Sequence, residues 1–238
     1  MSDMATGTGT ERAGGAAPGL RRASRTQRVL DVVVPALLLT AFALLTVEVV
    51  RDGAVVRLDD LVRDWTPGQG NGPMVPDLLG LVVVDIATPP VCVAAVLLLG
   101  AVLSLRTGRW APLVLTGAAI ALLTATVLLG KELIDRQAPD YVGVAGAGGA
   151  FPSGHTATAI ICAGVVAELV SHARPARRRL AWLLAAGWTL LVAVALLWLH
   201  FHWLSDVLGS LLLGSALLWL LLRWPLRLGD GLQQVSGR

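Results

Sequence analysis

The sequence has few charged residues and almost no cysteine. Only 15% of its 238 residues are Asp, Glu, Lys or Arg, and its two cysteines, Cys92 and Cys162, both lie inside apolar runs. So little charge argues against a water-soluble enzyme, and two such cysteines exclude a disulfide-stapled secreted module. With 55% hydrophobic residues, the chain also cannot be disordered over most of its length.

The common metal and nucleotide motifs are missing as well. The sequence contains no HExxH, paired CxxC, Walker A or GxGxxG pattern. Zinc hydrolysis needs three or more His, Cys or carboxylate ligands around one point, and no such set stands out. We therefore predict no metal site and no cofactor. Nucleic acid is not an expected partner either, because the arginines form short clusters between apolar segments rather than one basic face.

What the sequence does contain is long apolar runs. Its mean hydropathy is +0.71, and the runs cover residues 29–50, 76–105, 111–130, 154–171 and 180–222. A membrane-spanning helix needs about 20 residues. The last run would be about 65 Å long as one helix, so it must turn back near its polar middle at residues 200–202. The sequence therefore predicts an all-α membrane protein, a bundle of six transmembrane helices.

The predicted bundle is flanked by two tails. Residues 1–28 are basic and rich in Ala and Gly, without an apolar stretch that could act as a signal peptide, and are interpreted as a disordered cytoplasmic tail. Residues 29–224 form the six-helix domain, and residues 225–238 form a short cytoplasmic tail. The second run is the irregular one, because Asp85 and the Pro89-Pro90 pair interrupt it. Its first part is therefore a candidate for lying along the membrane interface.

The distribution of basic residues predicts the orientation. Cytoplasmic segments of membrane proteins retain Lys and Arg, and with an internal N-terminus the inner segments hold 14 of the 19 basic residues. Both termini are therefore predicted to be cytoplasmic. One outer connection, residues 51–76, carries four acidic residues against three arginines and is predicted to be solvated.

Polar residues that are rare in membrane helices fall at the outer helix ends. They are His155, His200, His202 and the only lysine, Lys131. Asp206 lies four residues after His202, so the two side chains share one face if the last helix begins near there. A carboxylate that accepts the Nδ1 proton leaves Nε2 free and more basic, as a nucleophilic or general-base histidine requires. A simple helix cap or interfacial polar pair is the other interpretation.

A second polar group opens the fourth predicted helix. In the stretch FPSGH at residues 151–155, the serine can cap the helix, and the free backbone N–H groups at the positive end of the helix dipole form an anion site. An ordinary Pro-Ser-Gly helix start with an incidental histidine fits equally well. Lys131 and Arg136 add cationic donors suited to phosphate, unless they only reach for the membrane interface.

These three segments together resemble the type-2 phosphatidic acid phosphatase superfamily. The resemblance rests on KELIDRQAP at residues 131–139, FPSGH at residues 151–155 and HWLSD at residues 202–206, and covers roughly the catalytic half of the chain. The six-helix topology is similar too. What the resemblance implies is a metal-independent phosphatase that acts on lipid phosphates at the outer membrane surface.

The resemblance also implies a role for each site residue. His202 would attack phosphorus to form a phosphohistidine, Asp206 would orient it, and His155 would protonate the leaving oxygen. The phosphoryl oxygens would be held by Lys131, Ser153 and the Gly154 backbone, with Arg136 as a further candidate.

Two arginines of the family motifs are missing here. The arginine position of the first motif is Ala138, and the Ser-Arg pair that precedes the third motif's histidine is Ala195-Leu196. Loss of both charged donors without replacement would cost on the order of 10² to 10⁴ in rate. Arg136 is a candidate substitute for one of them, and His200 is a weaker candidate for the other.

Three functional hypotheses follow. The first is a phosphatase for a lipid phosphate or a polyprenyl (di)phosphate such as undecaprenyl diphosphate. The second is a phosphotransferase on the same scaffold that moves a phosphate-linked head group to an alcohol. The third is a catalytically silent membrane protein that binds a lipid anion. The expected partners are a lipid phosphate substrate and membrane lipids, while the particular lipid and the oligomeric state are left open.

Overall fold

The structure is a computed structural model that describes residues 25–66, 75–139 and 149–235. Most of the predicted N-terminal tail lies outside these ranges. Every regular element within them is a helix, with one 3₁₀ turn at Pro175–Arg177. The helices are α1 (Arg25–Val50), α2 (Ala54–Trp65), α3 (Val75–Ile86), α4 (Pro89–Thr107), α5 (Ala111–Ile134), α6 (Gly154–Ala173), α7 (Arg178–Trp198) and α8 (Leu204–Val235).

Six of these helices are long and apolar enough to cross a membrane, which confirms the predicted six-helix membrane bundle. They are α1, α4, α5, α6, α7 and α8. Their outward faces carry large exposed apolar side chains, such as Leu37 on α1 and Leu183 on α7. In water such faces would be costly, whereas hydrocarbon accepts them. The chain is therefore a multi-pass membrane protein, and the cytoplasmic position of its termini stays a prediction.

The long last run turns back where the sequence predicts. Helix α7 ends at Trp198 and α8 begins at Leu204. Between them His200 adopts a left-handed conformation with φ of 56°, and Phe201 N donates to Leu196 O at 3.0 Å. A left-handed residue with this six-residue hydrogen bond is the Schellman arrangement that ends many helices. The turn brings residues 199–206 back over the end of the bundle.

Helix α6 lies at the centre of the bundle, where α4, α5, α7 and α8 all pack against it. Its contact with α8 is close because glycines lie on both sides. A Cβ added at Gly164 would collide with the Leu218 side chain, and one at Gly214 would collide with Ile160. Small residues that let helix backbones approach are a common means of helix association in membranes. This packing holds the first turns of α6 and α8 side by side.

The second apolar run is broken into two helices, α3 and α4. The break falls at Thr88, whose ψ of 135° is extended, directly before the Pro89-Pro90 pair. Helix α3 packs against α7: Asp77 accepts a hydrogen bond of 2.8 Å from Trp198 Nε1, and Val84 lies in a buried cluster with Leu196. The first part of the run, α3, was a candidate for lying along the membrane interface. In the structure it packs against the end of the spanning helix α7.

The prediction of a solvated connection over residues 51–76 holds for most side chains in its first half, but it misses a helix and a buried carboxylate there. This segment contains α2, and Asp59 on α2 is only 1% exposed. The prediction counted charges along the chain and ignored the helical spacing of Val55, Val56 and Val62, which gives α2 one apolar face. Helix α2 contacts α1, α7 and α8, so it covers the end of the bundle at which α8 begins.

Candidate active site

His202 and Asp206 lie at the start of α8 and contact each other. His202 Nδ1 is 3.3 Å from Asp206 Oδ2, and the backbone N–H of Trp203 donates to the same oxygen at 3.0 Å. The carboxylate is fully buried, while the imidazole retains some exposure. The predicted pairing is therefore present, although His202 lies just before the helix rather than on it. Because Nδ1 faces the carboxylate, Nε2 is the ring nitrogen left for chemistry.

A guanidinium joins Asp206 to a second buried carboxylate. Arg136 NH1 donates to Asp206 Oδ1 at 2.9 Å and to Ser205 Oγ at 2.5 Å, while NH2 donates to Asp59 Oδ2 at 2.7 Å. Asp59 also accepts from Ser205 N at 2.8 Å and from Ser205 Oγ at 2.7 Å. The network therefore ties α2, the segment after α5 and the first turn of α8 together.

The geometry gives Arg136 a structural role besides the predicted one. Within the described ranges, three of its five N–H groups are used by Asp59, Ser205 and Asp206, which leaves two for another acceptor. Its Cζ also lies 5.2 Å from the ring centroid of Trp203, a cation–π distance. Binding of phosphate by Arg136 stays a prediction.

The start of α6 has the arrangement predicted from FPSGH. Ser153 is the N-cap, and its Oγ accepts from Thr156 N at 3.3 Å. Ser153 is fully buried, and its backbone N donates to Asp206 O at 3.2 Å. The contact places the first turn of α6 directly beside that of α8. The first backbone N–H groups of α6, including that of Gly154, have no acceptor within the helix and carry the positive end of its dipole.

His155 is half-buried next to this helix start, and its buried Nε2 has no hydrogen-bond partner among the described residues. A buried polar atom of this kind is uncommon and marks a place where a ligand or water completes the bonding. His202, Lys131 and Asp85 are all close enough to exert an electrostatic effect on it. The two histidines of the predicted site therefore lie in one electrostatic cluster, with Asp85 near it.

Lys131 reaches the same place from the last turn of α5. Its Nζ donates to Gly149 O, just before the FPSGH stretch. A Cβ added at Gly154 would lie 3.9 Å from Lys131 Cε, so the lysine stem passes over the start of α6. The structure thus brings Lys131 to the helix terminus that carries Ser153 and His155.

One position where the sequence departs from the family pattern, and one candidate substitute for the missing arginines, have a clear structural setting. Leu196 is fully buried in the cluster that includes Val84 of α3, so the helix face that lacks the motif arginine packs against α3 instead. His200, the weaker candidate substitute, is 2.7 Å from Thr66 Oγ1 through Nε2 and is bonded to the end of α2. His200 therefore anchors α2.

Some residues of this site were not identified from the sequence. Asp59 and Arg63 lie on α2, and both line a small cavity of about 10 Å³ that also borders His202. Trp203 borders it too and donates from Nε1 to Gln137 O at 2.9 Å. The signal in the sequence was the amphipathic spacing of the apolar residues in α2, which predicts a helix that packs against the rest of the protein.

Fold and site together define a class of protein: a multi-pass helical membrane protein with a histidine–aspartate pair and a capped helix N-terminus at one end of its bundle. Residues 90–230 match the PAP2 superfamily, and the chain belongs to this family. No curated protein matches the sequence. The fold is similar to the crystal structure of a transmembrane PAP2-type phosphatidylglycerolphosphate phosphatase from Bacillus subtilis, with a TM-score of 0.73 and 20% identity over 82% of this chain and 98% of that one.

Proposed function

We propose that the protein is a metal-independent phosphatase that hydrolyses a lipid phosphate or a polyprenyl (di)phosphate through a phosphohistidine on His202. The observation that carries the proposal is the pair of His202 Nδ1 and Asp206 Oδ2, 3.3 Å apart, beside the first turn of α6. This pairing leaves Nε2 as the nucleophile. Family membership and a fold shared with a phosphatase support the same chemistry.

In the first step, His202 Nε2 attacks phosphorus and a P–N bond forms while the P–O bond to the lipid breaks. The leaving oxygen takes a proton from His155, whose Nε2 has no partner among the described atoms. Positive charge develops on the His202 ring, and the buried carboxylate of Asp206 stabilises it. The leaving group, released in this step, is the lipid alcohol for a monophosphate substrate and the lipid monophosphate for a diphosphate.

In the second step, water attacks the phosphohistidine and the P–N bond breaks. His155, now neutral, takes a proton from the water and returns to its starting state, and inorganic phosphate leaves. Both steps concentrate negative charge on the phosphoryl oxygens. The donors suited to that charge are Lys131 and the free backbone N–H groups at the start of α6, which Ser153 caps.

The missing motif arginines have two candidate replacements in the site. Arg136 has two N–H groups beyond those used by Asp59, Ser205 and Asp206. Arg63 of α2 lines the small cavity beside His202, and its Cζ lies 6.0 Å from the Trp203 ring centroid. We infer that Arg63 supplies a second guanidinium to the phosphoryl group.

The substrate class follows from the position of the site. It lies at one end of a bundle whose outer faces are apolar, so an amphiphile can present its phosphate to His202 while its tail stays in hydrocarbon. This favours a lipid-linked phosphate over a soluble ester.

The decisive experiment measures phosphate release from a panel of lipid phosphates by detergent-purified protein in EDTA, for wild type and His202→Ala. We expect release that survives the chelator and falls at least about 10³-fold in the variant. Quenching a reaction with ³²P-labelled substrate in alkaline SDS should trap a phosphoprotein that is stable to alkali and labile to acid, in wild type only. An unchanged melting temperature of His202→Ala shows that the loss is chemical.

A parallel reaction contains an alcohol acceptor, because the same phosphohistidine or its equivalent could be attacked by an alcohol in place of water. Transfer to the acceptor without phosphate release would identify a phosphotransferase and contradict the proposal. Absence of both products over the whole panel would identify a silent lipid-anion-binding protein.

A further inference from the structure

A second site lies at the end of the bundle opposite His202. A groove of about 820 Å³ runs between α7 and α8, and α6, on which both helices pack, forms its floor. On α7 its lining extends from Arg178 to Ala193, which corresponds to about 22 Å along the helix. None of the residues assigned above to the candidate active site lines it.

The groove is apolar along most of its length and open to the side. Its walls include Ile160, Ala186, Leu211 and Leu222, and Leu190 at its rim is exposed. One leaflet of a bilayer has about 15 Å of hydrocarbon. The groove is therefore long enough to hold an acyl chain that enters sideways from the membrane.

The far end of the groove is cationic and aromatic. Arg178 and Arg223 line it together with Trp182 and Trp219, and Arg223 Cζ stacks 4.7 Å from the Trp219 ring centroid. Arg223 also pairs with Asp31 at 3.2 Å. Arg178 forms no ion pair within the described part of the chain, and it belongs to the run RPARRR at residues 174–179, which has four arginines and no acid.

One buried polar atom at this end lacks an acceptor. Trp219 Nε1 is buried and has no hydrogen-bond partner among the described residues. The one acidic residue of the lining, Glu168, is 3.4 Å from His172. An unsatisfied indole N–H beside arginines suits a ligand with negatively charged or carbonyl oxygens, because an indole can only donate and a guanidinium can only donate.

We propose that this groove binds an anionic phospholipid, with the phosphate at Arg178 and Arg223 and one acyl chain along α7. Basic pockets between transmembrane helices are a known physical basis for anionic lipid binding. The positive charge at the far end favours an anionic lipid over a zwitterionic one. A substrate with its phosphate at His202 would place its apolar tail at this end, and the two arginines there argue against an apolar occupant. The proposal is independent of the catalytic activity proposed above.

The test titrates detergent-purified full-length protein with dioleoylphosphatidylglycerol or dioleoylphosphatidylcholine and counts bound lipids by native mass spectrometry. We expect one retained phosphatidylglycerol with about ten-fold preference over phosphatidylcholine. Arg178→Gln should weaken phosphatidylglycerol binding about five-fold, whereas Arg179→Gln, its neighbour outside the groove lining, should stay within about two-fold. Ala186→Trp should remove binding by filling the groove, whereas Leu184→Trp on an exposed position outside the lining should not.

Several outcomes would overturn the proposal. Equal retention of both lipids, or equal losses in Arg178→Gln and Arg179→Gln, would mean that the groove does not recognise charge. Loss of the retained lipid in His202→Ala, with binding unchanged in Arg178→Gln, would place it at the candidate active site. A dimer in the wild type that Ala186→Trp converts to a monomer would identify the groove as an interface between copies. Because Arg178→Gln leaves the packing intact, the result does not depend on the folding of Ala186→Trp.

Discussion

At the residue scale, the hydrogen bonds of the site meet on the carboxylate of Asp206. One oxygen accepts from Arg136, and the other accepts from the Trp203 backbone and faces His202 Nδ1. A buried carboxylate is costly unless donors of this kind surround it. The same bonds fix its position, so the His202 ring is oriented by a group that cannot itself rotate.

Arg63 is the residue whose role departs most from the sequence pattern. If it supplies the guanidinium that Leu196 cannot, Arg63→Gln should lower kcat/KM about 10- to 10²-fold, because a charged donor to phosphate contributes about 1.5–3 kcal/mol. Arg57→Gln is the matched control, since Arg57 is an exposed arginine on the same helix outside the cavity lining. Steady-state kinetics on a lipid phosphate checks this. Equal kinetics for the two variants would assign phosphate binding to other donors.

At the element scale, α2 shows why part of the site escaped prediction. Its twelve residues contain three acids and two arginines, and charge counting alone treats such a stretch as solvated. Burial of Asp59 depends on partners 77 and 146 residues away, Arg136 and Ser205. No local pattern contains that information. By contrast, HWLSD at residues 202–206 predicted the His202–Asp206 pair, because its geometry is set within one helical turn.

The contacts of Asp59 predict that it docks α2 on the bundle. Asp59→Asn should destabilise the protein by about 2 kcal/mol, because it leaves Arg136 without one of its two buried carboxylates. Asp60→Asn changes an exposed neighbour on the same helix and should stay within about 0.5 kcal/mol. Thermal unfolding in detergent measures the difference, and amide hydrogen exchange over residues 54–65 should rise in Asp59→Asn alone. Unchanged exchange in that variant would contradict docking through Asp59.

At the scale of the whole molecule, the six spanning helices were predictable because hydrocarbon thickness sets their length and composition. The same rule could not place α3, since a twelve-residue apolar helix suits an interface, a core or part of a span. Only its contacts, such as that of Asp77 with Trp198, show that it packs against α7. The groove between α7 and α8 was equally beyond the sequence, because its lining comes from three helices and a tryptophan such as Trp182 or Trp219 suits either a protein core or a membrane.

The orientation of the bundle is the remaining prediction at this scale. Fourteen of the 19 basic residues fall on one side of the predicted topology, which places α2 and His202 outside the cell and the run at residues 174–179 inside. In a background of Cys92→Ala and Cys162→Ala, we expect Asp60→Cys to react with a membrane-impermeant maleimide in intact cells. Arg179→Cys should react only after the cells are permeabilised. The reverse pattern would place the site in the cytoplasm. The expected pattern would put the cationic end of the groove in the inner leaflet, where anionic lipids are concentrated.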